Sequence, residues 1–398
     1  MSTLKVDAIR HNSATSDAIT TASDGTCTAR ITGMTGGGGL SHRNLIINGA
    51  MLISQRGSSQ ASITSSGYYN IDRFRTALNT GTVTTSQSTD VPTGEGFSRS
   101  FKVDVTTANT SLSGTNFLHV QQSIEGQNLQ MLSYGTSGAK TITLSFFVKS
   151  NKTGIYCISL EKTDNTRYDY TAEYTISSAN TWEKKTITIV PDSNIQASGG
   201  AIDNDNGKGF NLKFVLAAGG DRDNGANNTW NSSTPAHSTS NQVNFLDSTS
   251  NEWYVTGVQL EVGDTATSFE HRSFSEELLR CQRYYCKSYN YSVAPGTATF
   301  EGAIHGRNYD GSGRSAHPIF VYFPSRMRAN PSMTFYAGDG QSGKYSTGST
   351  VGGSDLTTEN NFGTNFVNSE SGIFHCDFSD SVPAFNLYAF QYTADAEM

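Results

Sequence analysis

SFEHRSFSEELLRCQRYY, residues 268–285, is where the pattern of this chain changes. The stretch packs acids, arginines, a histidine and two tyrosines into a short span, so it is either a site of chemistry or a joint. Ser273 stands three residues before Glu276, the spacing of a capping box in which each side chain satisfies the other's orphan backbone N–H. The spacing therefore predicts a helix over 273–287, the only one the sequence signals. Phe274, Leu278, Cys281 and Tyr285 recur at helical spacing as one apolar stripe. Glu276, Glu277, Arg280 and Arg283 lie elsewhere around it, and Glu276 to Arg280 is a favourable i,i+4 pair. Glu270, His271, Glu276 and Glu277 offer a mixed nitrogen and oxygen donor set, but no HxxxH or CxxC spacing accompanies them. Cys281 and Cys286 are too far round a helix from each other to pair. The stretch reads as a connecting helix that presents its stripe to a domain interface or to other subunits.

Working outward, both flanks read as β structure. Before it, runs such as FSRSFKVDV, FLHVQQSI, KTITLSFFVKS, GIYCISLEK, YTAEYTI, WEKKTITIV, GFNLKFVLAAGG and EWYVTGVQLEVG alternate or are wholly apolar, and turn residues separate them. NLIINGAMLISQRG and YYNIDRFRTAL are taken as strands too. Together they predict a jelly-roll β-sandwich over residues 41–272. After the helix, CKSYNYSV, PIFVYFPSRM, SMTFYAG, GIFHCDF and AFNLYAFQYTADAEM predict a second, smaller β-sandwich over 288–398. The fold class is thus all-β. Residues 1–40 carry only short apolar runs and end in TGGGGL at 35–40, a linker with a span of roughly 13 Å by chain statistics. This segment reads as an arm that orders on a partner.

Composition narrows the function. The 398 residues hold 28 Lys and Arg against 35 Asp and Glu, a formal charge of −7, with no run of basic residues. That balance argues against nucleic acid or an anionic membrane as partner. No apolar run is long enough for membrane insertion, and the polar start has no signal-peptide pattern. Synthesis in a cytoplasm and free, mostly buried thiols at the 5 scattered cysteines are expected.

Candidate ligand residues are few. Trp230 stands in the polar loop Asp221–Gln242, where an indole is placed to stack on a pyranose ring; Tyr168 and Tyr170, alternating in RYDYTAEY, are further glycan candidates. Trp182 and Trp253 sit in strand-like runs and read as core. Asp203 with Asp205, and Asp221 with Asp223, sit in DxDNG sequences that resemble part of a calcium loop. Counting from Asp203, the fifth, sixth and twelfth positions hold Gly207, Lys208 and Phe214 in place of calcium-loop residues, so tight turns are the better reading. No carboxylate pair is nominated for glycoside cleavage, and neither a catalytic nor a metal site is expected.

NLIINGAMLISQRG, YNIDRFR, ITLSFFVKS and the run VTGVQLEVGDTATSFEHRSFSEELLRCQRYY, in this order, resemble a module of bacteriophage tail fibre proteins. MSTLKVDAI resembles the start of fibre proteins from short-tailed phages of marine bacteria, cyanophages in particular, and FPSRMRANPSMTF with YTADAEM extends the likeness loosely to the C-terminal part. The first sandwich is also similar to jelly-roll carbohydrate-binding modules. The resemblance implies a virion protein of the tail, made in the bacterial host cytoplasm and homotrimeric. It implies an arm that attaches to a tail adaptor or nozzle protein and distal sandwiches that meet the host-cell polysaccharide. It implies no cofactor beyond the structural calcium ion that such modules often hold. The competing expectations are a purely structural tail or head-decoration protein and, less favoured, a polysaccharide depolymerase.

Overall fold

Strict alternation of side chains builds two facing sheets from residues 59–262. The computed structural model describes residues 6–10, 19–21, 23, 27–29, 42–232, 236–307, 319–348, 357–359, 362–365, 367–376 and 387–398. Within the arm, β1 (Ala8–Ile9), β2 (Ile19–Thr21) and β3 (Cys27–Ala29) pair as a small antiparallel meander. The glycine linker at 35–40, and most of the predicted arm with it, lies outside the described residues.

The sandwich comprises β4 (Ser59–Ile63), β5 (Arg75–Leu78), β6 (Thr82–Ser88), β7 (Ser100–Thr107), β8 (Phe117–Glu125), β9 (Ile142–Ser150), β10 (Gly154–Lys162), β11 (Tyr168–Ile176), β12 (Glu183–Ile189), β13 (Lys208–Ala218), β14 (Thr229–Asn231) and β15 (Glu252–Val262). They form two six-stranded antiparallel sheets, ordered β14-β11-β10-β13-β8-β5 and β12-β9-β15-β7-β6-β4. Between them Phe146 of one sheet meets Phe214 and Tyr174 of the other edge-on, with ring centroids 5.0 and 5.1 Å apart. Trp253 stands 5.8 Å from Phe214. Each buried aromatic or aliphatic side chain of this kind stabilises by roughly 1.5–3 kcal/mol. The expected core role of Trp253 is met in full, while Trp182 is half-buried beside Ala50, Phe97 and Phe147.

NLIINGAMLISQRG corrects the expectation of a strand. Asn48 and Met51 take left-handed backbone conformations (φ 61° and 57°), and the Asn48 amide bonds Ile53 at both N and O and the Asp72 carbonyl. One side chain thus replaces the ladder bonds a strand would make, and the coiled segment inserts Ile46, Met51 and Ile53 as a plug. Polar strands β4 and β6 and the short β14 carry too little apolar signal to be foreseen.

The helix spans Phe274–Gln282, shorter than predicted, with Tyr285 already on the strand β16 (Tyr285–Lys287). Ser273 Oγ accepts from Glu276 N at 3.2 Å, but the Glu276 carboxylate pairs with Arg280 at 3.1 Å. The expected stripe is also rotated. The buried face is Glu277, Cys281 and Tyr284, whereas Phe274 is 46 % exposed and Leu278 is half-buried. Glu277 wins an inward place because it accepts the backbone N–H of Asn48 in the plug and faces Arg272 at 3.5 Å. Glu270 likewise accepts from Asn44 N and bonds Arg272, so the acids of this stretch serve structure.

Beyond the helix, the last strand, β24 (Leu387–Asp395), is the hub of a second all-β unit. Strands β16 and β19 (Ser332–Tyr336) flank its end, and β17 (Ile304–Arg307) and β20 (Tyr345–Gly348) flank its start, with β21 (Thr357–Glu359) beyond β20. A three-stranded sheet of β18 (Ile319–Tyr322), β22 (Phe362–Asn365) and β23 (Ser371–Cys376) shares its core through Val321 and Phe323. The unit therefore starts at Tyr285 rather than at 288.

The two units meet at a buried ionic cluster. Arg73, fully buried, pairs with Glu397 and stacks its guanidinium 3.3 Å from the centroid of the Tyr284 ring. Arg56 lies 3.6 Å over the Tyr285 ring and reaches Asp395 at 3.0 Å and Glu397 at 3.6 Å. Arg283 forks onto Glu125 at 2.6 and 2.7 Å, and the Tyr284 hydroxyl donates to the same carboxylate. Of the expected stripe, Tyr285 takes part in this cluster and Cys281 is buried on the helix. Removing one partner of such a pair typically costs about 3–5 kcal/mol, because the other charge stays buried alone. E397A is expected to lose that much stability in chemical denaturation, and the double change R73M/E397L to regain most of it; an E397A loss below 1 kcal/mol would refute the arrangement.

Candidate functional site

Period two gives the β5-β8-β13-β10-β11 sheet a second, polar face. In FLHVQQSIE the inward Leu118, Val120 and Ile124 alternate with the outward His119, Gln121 and Ser123, and in KGFNLKFVLAA the inward Leu212 and Phe214 alternate with Asn211 and Lys213. Register lines these outward residues up across strands. Arg75 is opposite Gln121, Gln121 opposite Lys213 and Lys213 opposite Ser159; the next row is Ser123, Asn211, Glu161, Asp169. Of these, Arg75, Gln121, Lys213, Asn211 and Glu161 floor a cleft of about 320 Å³, near the lower end of the roughly 300–1000 Å³ of small-molecule sites.

The long loop Asp221–Gln242 makes one wall. It is pinned across the sheet by Ala236 O accepting from Thr171 Oγ1 at 2.9 Å, by Thr239 Oγ1 donating to Glu173 at 2.6 Å and by Asn228 N donating to Thr171 O at 2.7 Å. It thereby carries His237 and Arg222 to the cleft, with the Arg222 guanidinium 4.8 Å over the Phe117 ring. Phe117 stacks on His119 (5.2 Å), and His119 meets His237 edge-on (5.3 Å).

The floor is a hydrogen-bonded network with open ends. Gln121 Oε1 lies 2.9 Å from His119 Nε2 and accepts from Asn211 Nδ2 at 3.3 Å. An acceptor there assigns the proton to His119 Nε2 and leaves Nδ1 as a bare lone pair. His119 Nδ1 and His237 Nδ1 are buried without a partner among the described residues, as are the Ser159 and Ser238 hydroxyls on the same side of the sheet. Burial, with Lys213 nearby, pushes the His119 imidazole down to about 3, and the same causes lower His237 further. Glu161 is raised by burial but lowered more by Lys213 at 2.7 Å and Arg167 at 3.0 Å, which bring it to about 2. At neutral pH the cleft therefore offers neutral imidazoles beside its lysines and arginines.

None of the expected glycan residues lies here. Trp230, on β14, pairs with Tyr170 and turns into the sandwich, where it meets Tyr170 (5.2 Å) and Tyr134 (6.2 Å) and donates Nε1–H to Val190 O at 3.1 Å. Tyr168 and Tyr170 are buried in the same core. The correction has a simple cause: loop residues 229–231 add an edge strand to β11, and its inward position closes the end of the core. Asp205 caps its own turn by accepting from Gly207 N at 2.8 Å, and Asn206 carries the turn to Arg328 of the second unit. Among the described residues no three His, Cys, Asp or Glu side chains converge. Cys157, Cys281 and Cys286 are free and buried, as expected. No helix is long and apolar enough to cross a membrane.

The buried neutral histidines carry a pH signature. Below about 6.5 the unfolded chain binds protons that folded His119 and His237 refuse, so stability falls as pH drops from there toward 3, by up to about 1.4 kcal/mol per pH unit for each histidine. H119Q should melt with a measurably shallower pH slope than the unaltered chain between pH 6.5 and 4; identical slopes would contradict a neutral buried imidazole.

No protein-family model matches the sequence, and no curated protein does. Similar solved structures include the enzymatically active domain of bacteriophage CBA120 tailspike protein 4, with 16% identity over 55% of this chain and a TM-score of 0.29; only 21% of that domain's chain is covered. A putative sugar binding protein from Bacteroides thetaiotaomicron VPI-5482 is 12% identical over 56% of this chain and all (100%) of its own, with a TM-score of 0.29. The family 11 carbohydrate-binding module from Clostridium thermocellum, solved with a β-1,3-1,4-mixed-linked tetrasaccharide, is 12% identical over 53% of this chain and 98% of its own, with a TM-score of 0.26. At TM-scores this low the likeness carries no argument of its own.

Proposed function

We propose that this chain is a non-enzymatic attachment protein of a phage tail, a homotrimeric fibre mounted through residues 1–40, whose large sandwich holds a host-surface glycan in the β5-β8-β13 cleft. The carrying observation is the cleft itself: buried polar side chains across adjacent strands, including two histidines whose Nδ1 atoms lack partners among the described residues. Such groups suit a polyol, whose hydroxyls both donate and accept, better than an apolar ligand, which would leave them unpaired. The fibre assignment rests on the resemblance in residues 44–57, 69–75, 142–150 and 255–285. A binding role is favoured over hydrolysis because Glu161, the carboxylate lining the cleft, is held between Lys213 and Arg167, and its cross-strand neighbour Asp169 is tied to the same arginine, so neither is free to act on a substrate. Three shallow sites on one fibre gain through avidity what each lacks alone.

Purified full-length protein is expected to bind at least one member of a panel of neutral and acidic bacterial polysaccharides, and H237F to lose that binding while keeping its melting temperature. Silence across the panel would sink the glycan reading. Separately, a chain lacking residues 1–40 should remain trimeric and glycan-binding yet fail to join virions; incorporation of the truncated protein would show that mounting lies elsewhere.

A further inference from the structure

The chain carries a net charge of −7, yet its cleft gathers Arg75, Arg167, Lys208, Lys213 and Arg222 around a single carboxylate. Glu161 is occupied by Lys213 at 2.7 Å and Arg167 at 3.0 Å, and Arg167 also holds Asp169 at 2.9 Å. The remaining cations have no such anion. Arg222 donates Nε–H to the Thr115 carbonyl at 3.0 Å and covers Phe117, while the side chains of Arg75 and Lys208 have no ion pair or hydrogen bond among the described residues. Burial lowers Lys208 first, and Arg75 and Lys213 add to it, with Glu161 alone in opposition. Like charges held together on a rigid sheet repel one another, and an anion between them removes that repulsion.

We propose that the glycan taken by this cleft is acidic, its carboxylate or sulfate group seated between Arg75, Lys208 and Arg222 while its ring hydroxyls meet the polar floor of His119, Gln121 and His237. This rests on the glycan reading and deepens it. The two kinds of contact separate an acidic saccharide from a simple anion: the cations recognise the charge, and the neutral imidazole and amide floor suits hydroxyls that inorganic phosphate or a nucleic-acid backbone would not place there. The cations are spread over the sheet (Arg75, Lys208, Lys213), the strand β10 to β11 turn (Arg167) and the long loop (Arg222). The charge therefore belongs to the assembled fold and not to one flexible segment.

The test is calorimetric titration of the full chain with oligogalacturonate, with the same oligosaccharide after reduction of its carboxyls to hydroxymethyl groups, with an oligosaccharide sulfate and with single-stranded DNA. Either acidic sugar should bind at least about tenfold more tightly than the reduced sugar, and raising NaCl from 50 to 500 mM should weaken it; the tighter of the two identifies carboxylate or sulfate. R75A/K208A should lose about tenfold for the acidic sugar and little for the reduced one, with melting unchanged, because neither side chain holds an internal partner. Equal binding of the acidic and reduced sugars would overturn the charge proposal and leave the glycan reading standing. Equal or tighter binding of DNA would overturn the proposal in favour of a general polyanion site. Binding of none of the saccharides would overturn both.

Discussion

A guanidinium shut away from water must be met by an anion and by donors' acceptors on every side, and Arg73 is the place where this chain is held to that condition. Its partners come from distant parts of the sequence: Glu397 from beyond β24, the Tyr284 ring from the end of the helix, and the Ser123 carbonyl from β8, which accepts at 2.7 Å. The arrangement holds only if the sandwich, the helix and the second unit are all in place. Arg56 repeats the device one strand-end away with Tyr285, Asp395 and Glu397. Apolar packing gives each unit its core, but these charges fix how the two cores sit against each other, since a displaced unit would strand them.

The same β8 strand that supplies Ser123 to the joint supplies His119 and Gln121 to the cleft. Along it the pattern passes from Glu125, clasped by Arg283, to the open floor of the site within a few residues. Position in the sheet decides which polar group is satisfied internally. Near the joint, partners from the second unit meet most of the charge, although Arg56 Nη1, Arg73 Nε and Glu397 Oε1 stay without a hydrogen bond among the described residues; near the loop Asp221–Gln242, imidazole nitrogens are left unmet. A sheet with one apolar and one polar face, both largely closed to water, is costly to build. That cost is borne where a ligand is the natural complement.

The apolar alternation of β7 to β13 and β15 was legible because period-two patterning needs no tertiary information, and the capped helix was legible from Ser273. The plug at residues 44–57 was not, since its apolar content matches a strand and only the Asn48 side chain diverts it. The rotated helix face shows a related limit: Leu278 looks like core and Glu277 like surface until the orphan N–H of Asn48 arrives from elsewhere. Trp230 misled because its polar neighbours suggested exposure, whereas pairing with β11 turned it inward. The cleft left a faint trace. His119, Gln121 and Ser123, or Asn211 and Lys213, fall at every second place in the most apolar strands, and separating the two faces of each strand would have exposed them. That the basic residues cluster could not be read at all, because Arg75, Arg167, Lys208 and Arg222 are brought together only by strand register and by the placing of a turn and the long loop.

The hub position of β24 has a consequence for how the molecule is made. Four strands that precede it, β16, β17, β19 and β20, all take it as a neighbour, so none of them has its completed sheet until residues 387–395 leave the ribosome. The sandwich, whose strands all lie between residues 59 and 262, can close long before. Synthesis thus produces a finished sandwich cleft on a chain whose second unit is still open, with Arg56 and Arg73 awaiting Glu397. During that interval the nascent chain exposes a basic, aromatic-lined hollow and unpaired strand edges, and arrival of the final strand withdraws both at once. Docking of β24 thus closes the edges with which a neighbouring chain could mistakenly pair.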